Sequence, residues 1–179
     1  LGLIESSEES ENIATSIKSN DGVYFVPALV GLGSPWWNSE VRGTIVGLTR
    51  GTGREHFVRA ALESMAYQVK DVIDDMKEHQ VDVTRLRVDG GATKNNFMLQ
   101  FQTDVLKVPV ERAEQLESTA WGAAALAGIK CGLIESKEEM ARDWKCNKEF
   151  SPGENREPEY DGWRRALKGA FACAGASQE

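Results

Sequence analysis

A chain of 179 residues, 41% hydrophobic and 27% charged, has the make-up of one ordinary folded domain. It contains no apolar run near the ~20 residues that span a bilayer, and no basic stretch followed by an apolar one that would mark a signal peptide. With 28 acidic side chains against 21 basic ones and a net charge of −7, a broad footprint for nucleic acid or for an anionic membrane is not expected either.

In chain order, the first predicted element is a short helix from Ser6 to Ile17, capped by Ser6 or Ser7, with Ile13 and Ile17 on one face. Asn20-Asp21-Gly22 signals a turn, and Val23 to Val26 then reads as a buried strand stopped by Pro27. The run Gly31 to Asn38 holds two glycines, a proline and two adjacent tryptophans, which predicts a shaped loop anchored by Trp36 and Trp37. A second strand is expected over 43–48.

The strongest periodic signal comes next. Val58, Ala61, Leu62, Met65, Val69, Val72, Ile73 and Met76 recur at spacings of three and four, predicting a helix from Arg54 to His79 with one apolar stripe. Arg59, Lys70, Asp74, Lys77 and Glu78 fall mostly on the opposite side, and Glu63 and Gln68 read as polar groups needing structural partners. A strand over 85–89, a helix over 95–106 and a brief strand over 108–110 follow. The helix after Glu117 is built of small residues from Gly122 to Gly128, which suggests close approach to another backbone. A short helix over 136–144, a surface loop over 151–158 and an amphipathic helix over 158–173 complete the chain.

Cys131, Cys146 and Cys173 are odd in number and widely spaced, with no Cys-x-x-Cys pair, so reduced cytosolic thiols are expected rather than a zinc site or a disulfide framework. The paired carboxylates Asp74-Asp75 and Glu138-Glu139 read as solvated helix faces. No residue stands out as a general base or nucleophile.

One segment carries a chemical suggestion. A strand leads into Gly90-Gly91-Ala92, and a helix opens at Asn95. Adjacent glycines permit positive φ and leave backbone bare, while a helix start offers N–H groups and partial positive charge. That combination suits a phosphate, or the ribose and base of a nucleotide; equally, it suits a plain tight turn with Asn95 as helix cap. It matches neither Gly-x-Gly-x-x-Gly nor Gly-x-x-x-x-Gly-Lys-Ser/Thr.

Taken together, several stretches resemble the carboxyl-terminal half of the FGGY carbohydrate kinases. They are Gly22–Ala28, Gly31–Trp37, Arg42–Thr52, Ala61–Gln68, Arg87–Ala92, Asn95–Asp104 and Thr119–Gly128, in this order over almost the whole chain. The stretch from Gly31 to Gln68 favours the glycerol-phosphorylating branch over xylulose, ribulose or gluconate kinases. The resemblance implies an α/β fold, the ribonuclease H-like (actin-like ATPase) second domain of a two-domain enzyme that uses ATP and Mg2+ to convert glycerol to glycerol 3-phosphate. It puts nucleotide contacts on Gly91 and Asn95, with Gly90 and Ala92 completing the wall.

It also implies that the polyol-binding residues, the catalytic aspartate, the first phosphate loop and the opening strands of this domain's sheet match positions before Leu1. Residues 1–179 are then expected to be a partial ATP-binding domain with unpaired strand edges, inactive alone, from a cytoplasmic enzyme that forms homo-oligomers. A pentulose or hexulose kinase, or a non-catalytic nucleotide-binding or interaction module, is the alternative.

Overall fold

The computed structural model describes residues 2–136, 138 and 144–175. Its longest element, helix α2 (Arg54–Glu78), forms within one residue of its sequence-predicted end. Gly53 begins it in extended backbone, and the Gly53 N–H is held by His56 Nδ1 at 2.9 Å. Helix α1 (Glu9–Thr15) is shorter than expected, and neither Ser6 nor Ser7 caps it by side chain. Instead Glu9 folds back to accept the backbone N–H groups of Glu5 and Ser6 while Arg54 grips its other oxygen at 3.3 Å. The segment before α1 is thereby tied to the start of α2.

Strands β1 (Tyr24–Val26) and β2 (Thr44–Val46) form an antiparallel pair with Phe25 opposite Ile45. A second sheet has the order β3–β4–β5, from Leu86–Val88, Val110–Ala113 and Cys146–Phe150. β3 and β4 are parallel and joined through α3 (Asn96–Leu106), whereas β4 and β5 are antiparallel with a register shift at Arg112/Ala113. Among the described residues β3 pairs only with β4, so its other edge is unpaired, as the sequence reading expects. Helices α4 (Ser118–Lys130) and α5 (Glu157–Cys173) complete the α/β fold. The helix expected over 136–144, including Glu139, falls largely outside the described residues.

Two cores sit on either side of α3. Val26, Val41, Tyr67, Phe101, Trp163 and Leu167 belong to one, and Ile73, Met98, Leu99, Leu106, Val110 and Phe150 make the other. The first is organised around Tyr67, whose ring stacks on Trp163 at 5.4 Å and meets Phe101 edge-on at 5.5 Å.

Two expectations need correction and one is met: Glu63 has structural partners, on a side of α2 whose last residues, Lys77 and Glu78, are exposed. Arg59 and Glu63 are buried and paired at 2.7 Å, and Asn20 Nδ2 and the Tyr67 hydroxyl donate to the other Glu63 oxygen at 2.7 and 3.3 Å. Only Trp36 of the tryptophan pair anchors its loop. It packs edge-on against Phe171 and donates Nε1–H to Asp71, while Trp37 is 80% exposed at φ 43°. And α4 does not bury its small residues, since only Ala125 and Gly128 of its described face are covered. Its glycine at 128 does meet a close neighbour, but that neighbour is the Ile134 side chain rather than a second backbone.

Candidate functional site

The stripe of Val58, Ala61, Leu62 and Met65 divides its work. Further along α2, Val69 and Ile73 enter the second core, but these four residues line an open cavity of about 1040 Å³. Met65 stays 40% exposed for this reason. The same cavity is lined by Gly91, Ala92, Lys94 and Asn95, and by Gly2–Ile4, Ser7, Ser10 and Glu11. The space is large enough for a nucleoside.

Each residue of the sequence-predicted wall has a distinct place. Gly90 turns the chain out of β3 at φ 88° and ψ 167°, a conformation open in practice only to glycine. Its N–H is held by the Leu116 carbonyl at 3.0 Å, and its own carbonyl accepts from the Thr93 N–H and hydroxyl at 3.1 and 2.7 Å. Gly90 stands behind the wall and does not line the cavity. Gly91 and Ala92 begin a 3-10 turn (Gly91–Lys94) on the cavity surface. A Cβ added at Gly91 would meet nothing within 4 Å, so the bend is unplugged.

Asn95 opens α3 as its cap. Its Oδ1 accepts the Met98 N–H at 2.9 Å, and its Nδ2 donates to Ser10 Oγ at 3.2 Å. The start of α3 is therefore less free than the sequence suggests. The backbone N–H of Asn96 is taken by Glu11 at 3.1 Å, and the other Glu11 oxygen accepts from Asn96 Nδ2 at 3.3 Å. A carboxylate already complements the positive end of this helix. Arg112 clamps the wall from behind: its guanidinium donates to the Thr93 carbonyl at 3.0 Å, to Asn96 Oδ1 at 3.3 Å and to Asn147 Oδ1 at 2.8 Å. Nothing in local sequence pairs Ser10 and Glu11 with residues 85 positions on, so sequence reasoning misses both.

The arrangement offers bare backbone, one oriented amide, methyl and thioether groups, and carboxylates. A flat, mostly neutral heterocycle fits such a slot better than a polyphosphate does. Among the described residues no group of three His, Cys, Asp or Glu side chains is placed to hold a metal ion, and no helix is long and apolar enough to cross a membrane. The three cysteines are unpaired and exposed.

The fold is α/β, of the actin-like ATPase class that its solved structural relatives share. Residues 2–131 match the carboxyl-terminal domain of the FGGY family of carbohydrate kinases, and the chain belongs to that family. It is 53% identical over 176 residues to a glycerol kinase of Bacillus subtilis (strain 168), covering 96% of this chain and 36% of the relative. A glycerol kinase of Staphylococcus haemolyticus (strain JCSC1435) is 52% identical, with coverages of 94% and 34%. The chain thus spans about a third of the length of these relatives. Among solved structures, the Plasmodium falciparum glycerol kinase with ADP aligns with a TM-score of 0.80 at 31% identity, over 94% of this chain and 35% of that one. A xylulose kinase from Lactobacillus acidophilus aligns at a TM-score of 0.75 and 22% identity, over 96% and 36%, a likeness of fold alone.

Proposed function

We propose that this chain supplies part of the nucleotide-binding domain of an ATP-dependent glycerol kinase, which converts glycerol to glycerol 3-phosphate. The observation that carries the reading is the unplugged backbone at Gly91, which with Ala92 lines the same open cavity as the apolar side chains of α2. In this reading Gly90 shapes the wall, Gly91 and Ala92 lie against the nucleoside, and Asn95 meets its polar edge. Leu62 and Met65 cover the opposite face of the base. Glu8 and Glu11 line the same cavity, and their charges disfavour a triphosphate lodged beside them. The phosphates then run outward, toward the part of the enzyme that carries the polyol site and the proton-accepting aspartate.

The chain's own contribution to phosphoryl transfer is positional. Fixing the nucleoside sets the direction in which the terminal phosphate is presented, and such transfer depends mainly on alignment and charge stabilisation. Mg2+ supplies charge neutralisation when it accompanies ATP. Among the described residues no group of three His, Cys, Asp or Glu side chains is placed to hold the ion, which the phosphates and the remainder of the enzyme would carry. We further propose that residues 1–179 are the carboxyl-terminal ATP-binding part of a cytoplasmic, homo-oligomeric enzyme. Glycerol rather than a sugar is supported by identities of 52–53% to glycerol kinases over nearly the whole chain.

The test is a kinase assay on the whole protein that carries this sequence. Glycerol should exceed xylulose, ribulose and gluconate in kcat/KM by ~100-fold, the order of discrimination that pocket size and shape supply between related substrates. A sugar or sugar acid turned over faster than glycerol would contradict the assignment.

A further inference from the structure

Asn95 is held by a chain of hydrogen bonds with a fixed direction. Ser10 Oγ–H donates to the Ser7 carbonyl at 2.6 Å, so the proton of that hydroxyl is committed. Its lone pair then accepts Asn95 Nδ2–H at 3.2 Å, while Asn95 Oδ1 accepts the Met98 N–H at 2.9 Å. Reversing the amide would set its NH2 group against the Met98 N–H and its oxygen against Ser10 Oγ, whose proton is turned to Ser7. Both ends oppose the flip.

Ser10 is itself fixed, because α1 is fastened at both ends. Arg59 donates to the Ala14 and Ile17 carbonyls at 3.2 and 2.6 Å at one end, and Glu11 holds the backbone N–H of Asn96 at 3.1 Å at the other. Ser10 is 8% exposed and lies on the cavity wall beside Asn95.

We propose that Ser10 is a positioning residue for the nucleotide: it sets which edge of the Asn95 amide faces the cavity, and so presents a fixed donor to an acceptor on the base. The inference rests on the reading that Asn95 touches the nucleotide. It assigns to Ser10 of α1, which that reading does not otherwise use, the task of orienting the amide.

The experiment is a double-mutant cycle in the whole kinase, read as KM for ATP and KM for glycerol. Ser10→Ala should raise the ATP KM roughly threefold to tenfold, the size of one neutral hydrogen bond, and leave the glycerol KM where it was. Ser10→Thr, which keeps the hydroxyl, should restore the ATP KM. Once Asn95→Ala is present, adding Ser10→Ala should have no further effect, because the serine acts through the amide. Full additivity of the two changes would overturn the inference, as would an ATP KM indifferent to Ser10→Ala in an enzyme sensitive to Asn95→Ala. An ATP KM indifferent to Asn95→Ala would overturn the parent reading and this inference with it.

Discussion

Gly90 and Gly91 are neighbours of the same type with different physical duties. At Gly90 the backbone sits at φ 88°, where a Cβ is strained regardless of available room. At Gly91 the backbone is ordinary and the space beyond it is open. Gly90→Ala should therefore cost about 1–3 kcal/mol in chemical denaturation, whereas Gly91→Ala should stay within about 0.5 kcal/mol of the parent. Equal losses at the two positions would refute this division. Arg59 makes a parallel point about what local pattern can reveal. Its place on the polar side of α2 implies solvent, yet it is buried because Glu63, four residues on, and two carbonyls more than 40 residues back supply its partners. Removing one member of such a pair leaves a buried charge uncompensated.

Among the elements, α2 was legible because twenty-five residues carry a consistent 3.6-residue period, bounded by the turn over Thr49–Gly53 and the polar stretch Gln80–Thr84. What the period could not say is which side of the helix meets the core. Part of the apolar stripe lines a cavity, and on the opposite side Arg59, Glu63 and Asp71 are buried through polar contacts while Lys77 and Glu78 are exposed. Asp71 is the plainest case. It accepts from Trp36 Nε1 at 3.3 Å, Tyr160 Oη at 2.7 Å and Trp163 Nε1 at 3.0 Å, joining loop, α2 and α5 across separations of 35, 89 and 92 residues. No local pattern encodes such a knot. The adjacent tryptophans likewise gave no sign which would turn inward, a choice settled by the Asp71 carboxylate.

That knot has a pH signature. Burial, more than any neighbour, raises the Asp71 carboxyl above the ordinary aspartate range, with Asp74 adding repulsion and the three donors opposing the rise. The folded state then binds the proton more tightly than the unfolded state does. Its contribution is greatest below the unfolded pKa and is lost as pH rises through the raised folded value. In wild type compared with Asp71→Asn, the stability difference should move in favour of wild type as pH falls from neutral toward about 4. A difference that stayed flat, or moved the other way, would show that Asp71 is not held in this state.

Over the whole molecule, most of the strands and helices and the glycine bend were readable from local signals; strand β5 (Cys146–Phe150) and the arrangement of the cavity were not. The bend becomes a wall only because α1, α2 and the turn converge from three parts of the chain. α4 shows the opposite outcome. Its run of small residues suggested a tight backbone contact, but Trp121 and Leu126 remain 44% and 56% exposed, and the free edge of β3 is also unpaired among the described residues. Small residues permit close packing; they do not supply the partner.

The central claim is that nucleotide lies against bare backbone at Gly91, and calorimetric titration of the whole kinase with ATP tests it most directly. A carboxylate placed there by Gly91→Asp has room in the free protein, so the melting temperature should stay close to that of the parent. In the complex it would occupy the space of the nucleoside, and affinity for ATP should fall by more than about a hundredfold, the effect of losing several contacts at once. ATP bound as tightly by Gly91→Asp as by the parent would contradict the account.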